Sequence, residues 1–269
     1  ILVEEHKSLF LEELDDLIHK VSIFGFHFAT LDIRQDSRVH HNAFTNMVQE
    51  LLDAKDTTFP ENYLTLSEKK QVAVLSKIKG NIDPSIFSDE MLVKTLKSIK
   101  AIKEIQSRNG KRGANRYIIS NNQTALNVMQ TFAMLNLSGF GDVLPVDVIP
   151  LFETVDDLQN AASVMRTLYS NKSYRNHVSR RKDKQTIMLG FSDGTKDGGY
   201  LMANWSIFKA KEALTAISRE FGIEVIFFDG RGGPPARGGG KTHQFYASLG
   251  PTIEDKEIQL TIQGQTISS

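Results

Sequence analysis

The chain has 269 residues, 40% hydrophobic and 24% charged, the composition of an ordinary globular protein. Its 32 basic and 32 acidic residues cancel, which argues against a protein held mainly to nucleic acid, and it has no cysteine, which excludes disulfides, thiolate metal sites and a cysteine nucleophile. No apolar run approaches the roughly 18 residues of a membrane span and no leader pattern opens the chain, so a soluble, cytoplasmic protein is expected.

Residues 1–21 read as a helix, with Leu9, Leu11, Leu14, Leu17 and Ile18 at helical spacing. The mainly apolar run from Val21 to Ile33 reads as a buried strand ending in DIRQDSR, with His27 a satisfied core residue. From Arg38 to about Ile105 the pattern is mostly helical, an insertion spanning about 38–110 in which His40 and His41 read as solvated. The second half alternates. Strands are expected at 116–120, 146–152, 185–191 and 223–228, with a last one near 258–262. Helices are expected at 124–135, 155–169 and 199–221, with another near His243. Trp205, with Phe208, Ala213, Leu214 and Ile217, reads as core packing of the third of these helices.

Alternating strands and helices imply a parallel sheet, and strands without polar alternation imply one covered on both faces. In such folds the chemistry gathers at the carboxyl ends of the strands. Polar residues stand there repeatedly: Asp32, Arg34 and Gln35; Ser120, Asn121 and Asn122; Glu153; Ser192, Asp193 and Lys196; Asp229, Arg231 and Arg237. The chain starts without Met and stops just after a strand-like run, so a piece of a longer polypeptide is expected.

The sharpest motif is DGRGGPPARGGGK, residues 229–241, which holds six of the chain's 19 glycines. Glycine lets backbone N–H groups approach a ligand, and successive N–H groups can cradle an anion. Arg231 and Arg237 add forks suited to phosphate or carboxylate. A plain surface loop, with Pro234 and Pro235 as turn residues, is the competing reading. The spacing is that of neither a Walker A motif nor a dinucleotide fingerprint. In SDGTKDGG, Asp193 suits a hard metal ion and Lys196 a phosphate, although helix capping alone also accounts for the segment. Thr154 and Asp157 are explained as a capping box, whereas Glu153 is not. Arg34 either binds an anion or pairs with Asp32 or Asp36. His243, just past the glycine loop, is the one histidine well placed for the site.

FDGRGGPPARGGGKTH resembles the glycine-rich loop of phosphoenolpyruvate carboxylase, usually written FHGRGG…GRGGGP. MLGFSDGTKDGG resembles that family's MIGYSDSGKDAG, PLFETVDDLQNA its PLFETLDDL, LDIRQDS its DIRQES, and RYIIS its YVIS strand. The five segments come in the same order and span nearly the whole chain.

The resemblance implies one partial domain over residues 1–269, an α/β slice of an incomplete TIM-type (β/α)8 barrel with roughly five or six of the eight strands and additional helices. It implies an enzyme that carboxylates phosphoenolpyruvate with bicarbonate to oxaloacetate and phosphate, replenishing the tricarboxylic acid cycle. Glu153 and Asp193 fall on its carboxylates for Mg²⁺ or Mn²⁺. Arg34, Arg231 and Arg237 fall on its anion-binding arginines and Lys196 on a lysine of its SD..KD segment. Asp229, Gly232 and Gly233 line the substrate side of the loop. Asp229 stands where the family usually has His, a departure for which His243 is one compensating candidate. The family's enzymes are far longer, and nothing here matches their catalytic histidine segment. The parent is expected to be a homotetramer without membrane or nucleic-acid partners, and the isolated piece to be inactive and to associate with itself. The alternatives are a non-catalytic phosphorylated-ligand-binding or regulatory barrel piece, and a phosphoenolpyruvate-using barrel of another type, which the glycine loop does not fit.

Overall fold

The computed structural model describes the chain apart from residues 142, 191, 231, 232, 234, 236–239 and 262–269, and for residues 192–197 it describes the backbone alone. Six strands form the sheet: β1 (Asp32–Asp36), β2 (Arg116–Ser120), β3 (Asp147–Phe152), β4 (Lys184–Leu189), β5 (Glu224–Asp229) and β6 (Ile258–Leu260). They lie in chain order, and every neighbouring pair is parallel. Parallel neighbours require crossover connections, and helices supply them between β2 and β5. These are α5 (Ala125–Asn136), α6 (Val155–Ser170), α7 (Lys172–Arg180) and α8 (Ser192–Glu220). The short α9 (Thr242–Ala247) follows the glycine-rich segment.

The sheet is curled into an incomplete barrel. Arg116 in β2 donates from Nη2 to Oε1 of Gln259 in β6 at 2.6 Å, and its guanidinium lies 5.0 Å from the ring centre of Phe228 in β5. On a flat sheet β2 and β6 would stand four spacings apart, about 19 Å, beyond what these two side chains can span. Alternation along the strands separates two cores. Ile118, Ile149, Leu151, Met188 and Phe228 pack together on the concave face. Tyr117, Ile119, Val148, Phe152, Ile187, Leu189, Val225 and Phe227 pack outward against the helices. Each fully buried large apolar side chain contributes roughly 1.5–3 kcal/mol, so these strands are apolar on both faces by necessity.

Between β1 and β2 lie α2 (Ser37–Asp53), α3 (Glu68–Leu75) and α4 (Glu90–Asn109). Asp36 starts α2 by accepting the N–H of Arg38 at 2.8 Å, and Asp89 starts α4 by accepting that of Leu92 at 2.6 Å. Thr154 and Asp157 form a reciprocal capping box at the start of α6.

Several expectations are corrected. α1 (Leu11–Phe24) begins later than expected and runs into the stretch read as a strand, and β1 starts only at Asp32. None of the residues of α1 is buried, so the uniform apolar run lacks the covering layer that would make a buried strand of it. His27 lies in a turn rather than a strand. His40 is fully buried, its Nε2 2.8 Å from the Tyr117 hydroxyl, where solvation was expected. Trp205 is 58% exposed, not core, because the buried stripe of α8 runs through Ala203, Ile207, Ala210, Leu214 and Ile217. α7 was not anticipated at all. α8 starts at Ser192, with a break at Gly199 (φ 76°, ψ 171°), a conformation that glycine adopts without strain.

Candidate functional site

The register decides which side chains reach the mouth of the barrel. Arg34 pairs with Ile118, a concave-face residue, and so projects inward. Its Nη2 lies 3.3 Å from Oε1 of Glu153, which follows the carboxyl end of β3. The other Glu153 oxygen accepts the backbone N–H of Asn121, after β2, at 2.7 Å. Three consecutive strands thus bring groups to one carboxylate, Arg34 from the middle of β1 and the others from beyond the ends of β2 and β3. The Arg34 side chain remains 48% exposed while that of Glu153 is 17% exposed, so the fork keeps donors for a further anion. A pair this open contributes about 1 kcal/mol or less to stability, and its consequence is placement.

Gly190, after β4, leaves the space that Glu153 fills. A Cβ there would lie 3.0 Å from Cγ and 3.1 Å from Cα of Glu153. Its N–H donates to the Phe152 carbonyl at 2.8 Å, tying the two strand ends together. A Cβ on Gly198 would meet Cγ2 of Val155 at 3.3 Å, so the first turns of α8 pack beside the segment after Glu153. Asp193 and Lys196 belong to those turns, and their side chains lie outside the described residues. Among the described residues no three His, Asp or Glu side chains gather as a metal cluster. The carboxylate of Glu153, held at one oxygen by a backbone N–H, is nonetheless a hard oxygen donor of the kind Mg²⁺ and Mn²⁺ take.

Asp32 is placed differently from expectation. It starts β1, at the opposite end of the strand from the mouth, and faces Arg116 at 3.4 Å. Burial pushes its carboxyl above the usual range, and Arg116 partly pulls it back.

Asp229 is also placed differently. It pairs in register with Leu189, and both belong to the outward-facing set. Its Oδ2 accepts from Nζ of Lys211 in α8 at 2.7 Å and from the hydroxyl of Tyr246 in α9 at 2.5 Å. Burial, then the neighbouring Asp229 carboxylate, pushes the Tyr246 hydroxyl far above its ordinary value, so it remains a donor. His243 is exposed, and the α9 side chain that bonds to Asp229 is Tyr246, three residues further along. Gly233, at φ +62°, sits over this pair. Arg231, Gly232 and Arg237 lie outside the described residues. Sequence reasoning missed Lys211. The signal was its position on the buried stripe of α8, between Ile207 and Leu214.

The chain matches a family model for phosphoenolpyruvate carboxylase over residues 1–269. It is 36% identical over 278 residues to a phosphoenolpyruvate carboxylase of Nitrosomonas europaea and 34% identical over 277 residues to one of Nitrosomonas eutropha. Each alignment covers 99% of this chain and 29% of the relative, so the chain spans under a third of the length of the relatives it matches.

Proposed function

This chain belongs to the phosphoenolpyruvate carboxylase family, and from that premise we propose that it carries the metal-binding and phosphate-binding side of an enzyme joining phosphoenolpyruvate and bicarbonate into oxaloacetate and phosphate. The observation that carries the reading is the convergence of Arg34, Asn121 and Glu153 from three consecutive strands on one point of the barrel mouth. The barrel is proposed to be of the TIM type, completed by parts of the parent outside this chain.

In the proposed reaction a bicarbonate oxygen attacks the phosphorus of phosphoenolpyruvate and the bond from phosphorus to the enol oxygen breaks. The methylene carbon of the resulting enolate then takes the carboxyl group, and phosphate leaves. Arg34 offers its free donors to the phosphoryl or carboxylate oxygens while Glu153 fixes its orientation. Arg231 and Arg237 are proposed to hold the transferring phosphoryl group, with Gly232 and Gly233 letting backbone N–H groups approach it and Lys196 neutralising charge. Glu153 with Asp193 would hold Mg²⁺ or Mn²⁺, which when bound supplies positive charge to oxygens that become more negative as the reaction proceeds. Asp229, buried against α8, is assigned a supporting place rather than a substrate contact.

Among the described residues no helix is long and apolar enough to cross a membrane. A cytoplasmic homotetramer is proposed for the parent. The test is the full-length protein supplied with Mg²⁺, bicarbonate and phosphoenolpyruvate while oxaloacetate is followed. Oxaloacetate is expected, and pyruvate alone, or no product, overturns the reading. The chain by itself is expected to show no turnover.

A further inference from the structure

We infer that Lys211, Asp229 and Tyr246 form a buried clamp that fixes the two ends of the glycine-rich segment, and that Lys211 is what allows an aspartate at position 229; the kinetic part of this inference rests on the function proposed above. Asp229 is the last residue of β5 and directly precedes Gly230. Tyr246 lies in α9, five residues past Lys241 at the far end of the segment. One carboxylate oxygen, Oδ2 of Asp229, receives both the Lys211 ammonium and the Tyr246 hydroxyl. The ammonium also lies 5.3 Å from the ring centres of Phe227 and Tyr246. The segment's entry and exit are therefore bonded to each other through a single oxygen and held against α8 by Lys211.

Gly233 also packs against this point. The N–H of Gly233 donates to the Gly230 carbonyl at 3.2 Å. A Cβ on Gly233 would stand 2.8 Å from the Tyr246 hydroxyl and 3.3 Å from Cβ of Asp229. Only glycine tolerates both that approach and the positive φ. An ion pair buried this deeply, with side chains 2% and 5% exposed, is not needed for stability, since an apolar pair of similar volume serves as well. What the pair adds is direction. The charge on Lys211 admits one kind of neighbour at 229. An imidazole there, as the family usually has, would either compete as a cation or leave the buried ammonium without its counter-charge. Positions 211 and 229 must therefore change together.

The test uses the full-length protein in four variants: Tyr246→Phe, Asp229→His, Lys211→Gln, and the last two combined. Tyr246→Phe keeps the ion pair and removes one hydrogen bond to a charged acceptor. It is expected to lower kcat about tenfold with the Mn²⁺ activation constant unchanged, and to raise the rate of tryptic cleavage within residues 230–241 by a similar factor. Asp229→His is expected to lose at least as much, and adding Lys211→Gln to restore most of it. Wild-type kinetics in Tyr246→Phe, or a double variant no better than Asp229→His alone, overturns the clamp. If the wild type makes no oxaloacetate, the proposed function fails and the clamp is judged on cleavage alone. Equal cleavage of wild type and Tyr246→Phe then sinks it.

Discussion

Arg34 and Glu153 stand 119 positions apart in the chain, yet Nη2 of one lies 3.3 Å from Oε1 of the other across the end of β2. The contact leaves the guanidinium half-exposed at the mouth of the barrel. A lysine at 34 would keep the charge and lose the fork. Arg34→Lys in the full-length enzyme is expected to lower kcat/KM for phosphoenolpyruvate roughly a hundredfold, the loss of about 2–3 kcal/mol of charge-assisted hydrogen bonding. Steady-state kinetics check this. Full activity in the lysine variant would show that charge alone is needed.

Glu153 owes its position to the missing side chain of Gly190. Gly190→Ala must shift Glu153 by several tenths of an ångström or distort the end of β4. Overpacking of this kind costs about 1–3 kcal/mol. The Mn²⁺ dissociation constant is expected to rise about tenfold, as it does when a ligand's support is lost, and further in Glu153→Gln combined with Asp193→Asn. Titration of the full-length protein checks both. Unchanged affinity in the double variant removes the proposed metal site.

The legible parts of the sequence are those where local pattern and packing agree. β2 to β5 are short apolar runs bounded by polar breaks, and the Thr154–Asp157 box fixes the start of α6. The positions of Asn121 and Glu153 were legible for the same reason, because each follows such a run. The side on which Asp229 lies was not legible. In EVIFFD both faces are apolar, so alternation gives no sign of which face is concave. Lys211 was hidden by its charge, although its helical phase puts it among buried residues. Trp205 misled in the opposite sense, because its size suggested the core while its phase puts it on the far side of α8. The run at 21–33 misled because apolar character alone does not supply a partner to pack against.

Two buried histidines set an acid limit on the fold. Burial holds both His40 and His177 down at about 4. Asp36 opposes the effect at His40 and Asp147 at His177, while Arg181 and Arg180 reinforce it at His177. The unfolded chain takes up these protons near 6.5 and the folded one only near 4. Stability therefore falls as pH drops from about 6.5 to about 4, by on the order of 3 kcal/mol per histidine, and this contribution levels off below. Paired carboxylates such as Asp36 and Glu220, held below their usual range by Arg38 and Arg166, act in the same direction but at lower pH. Urea midpoints at pH 7, 6, 5 and 4.5 check the slope. His177→Phe, packed between Phe132 and Tyr174, is expected to reduce it by about half, and an unchanged slope would assign the effect elsewhere.

The outer strands of the described sheet, β1 and β6, have one described neighbour each. α8 exposes Tyr200, Leu201, Met202 and Trp205 in the turns after its break at Gly199. Open strand edges offer unpaired N–H and carbonyl groups, and exposed apolar side chains favour association. This chain by itself is therefore expected to self-associate. Trp205 is the only tryptophan, which makes it a clean reporter. Sedimentation equilibrium should show mass rising with concentration, while Trp205 emission shifts to the blue and becomes less accessible to iodide. A monomer at all concentrations would mean that these edges are shielded. Rising mass with unchanged emission would place the contact on the strand edges and leave the α8 surface free.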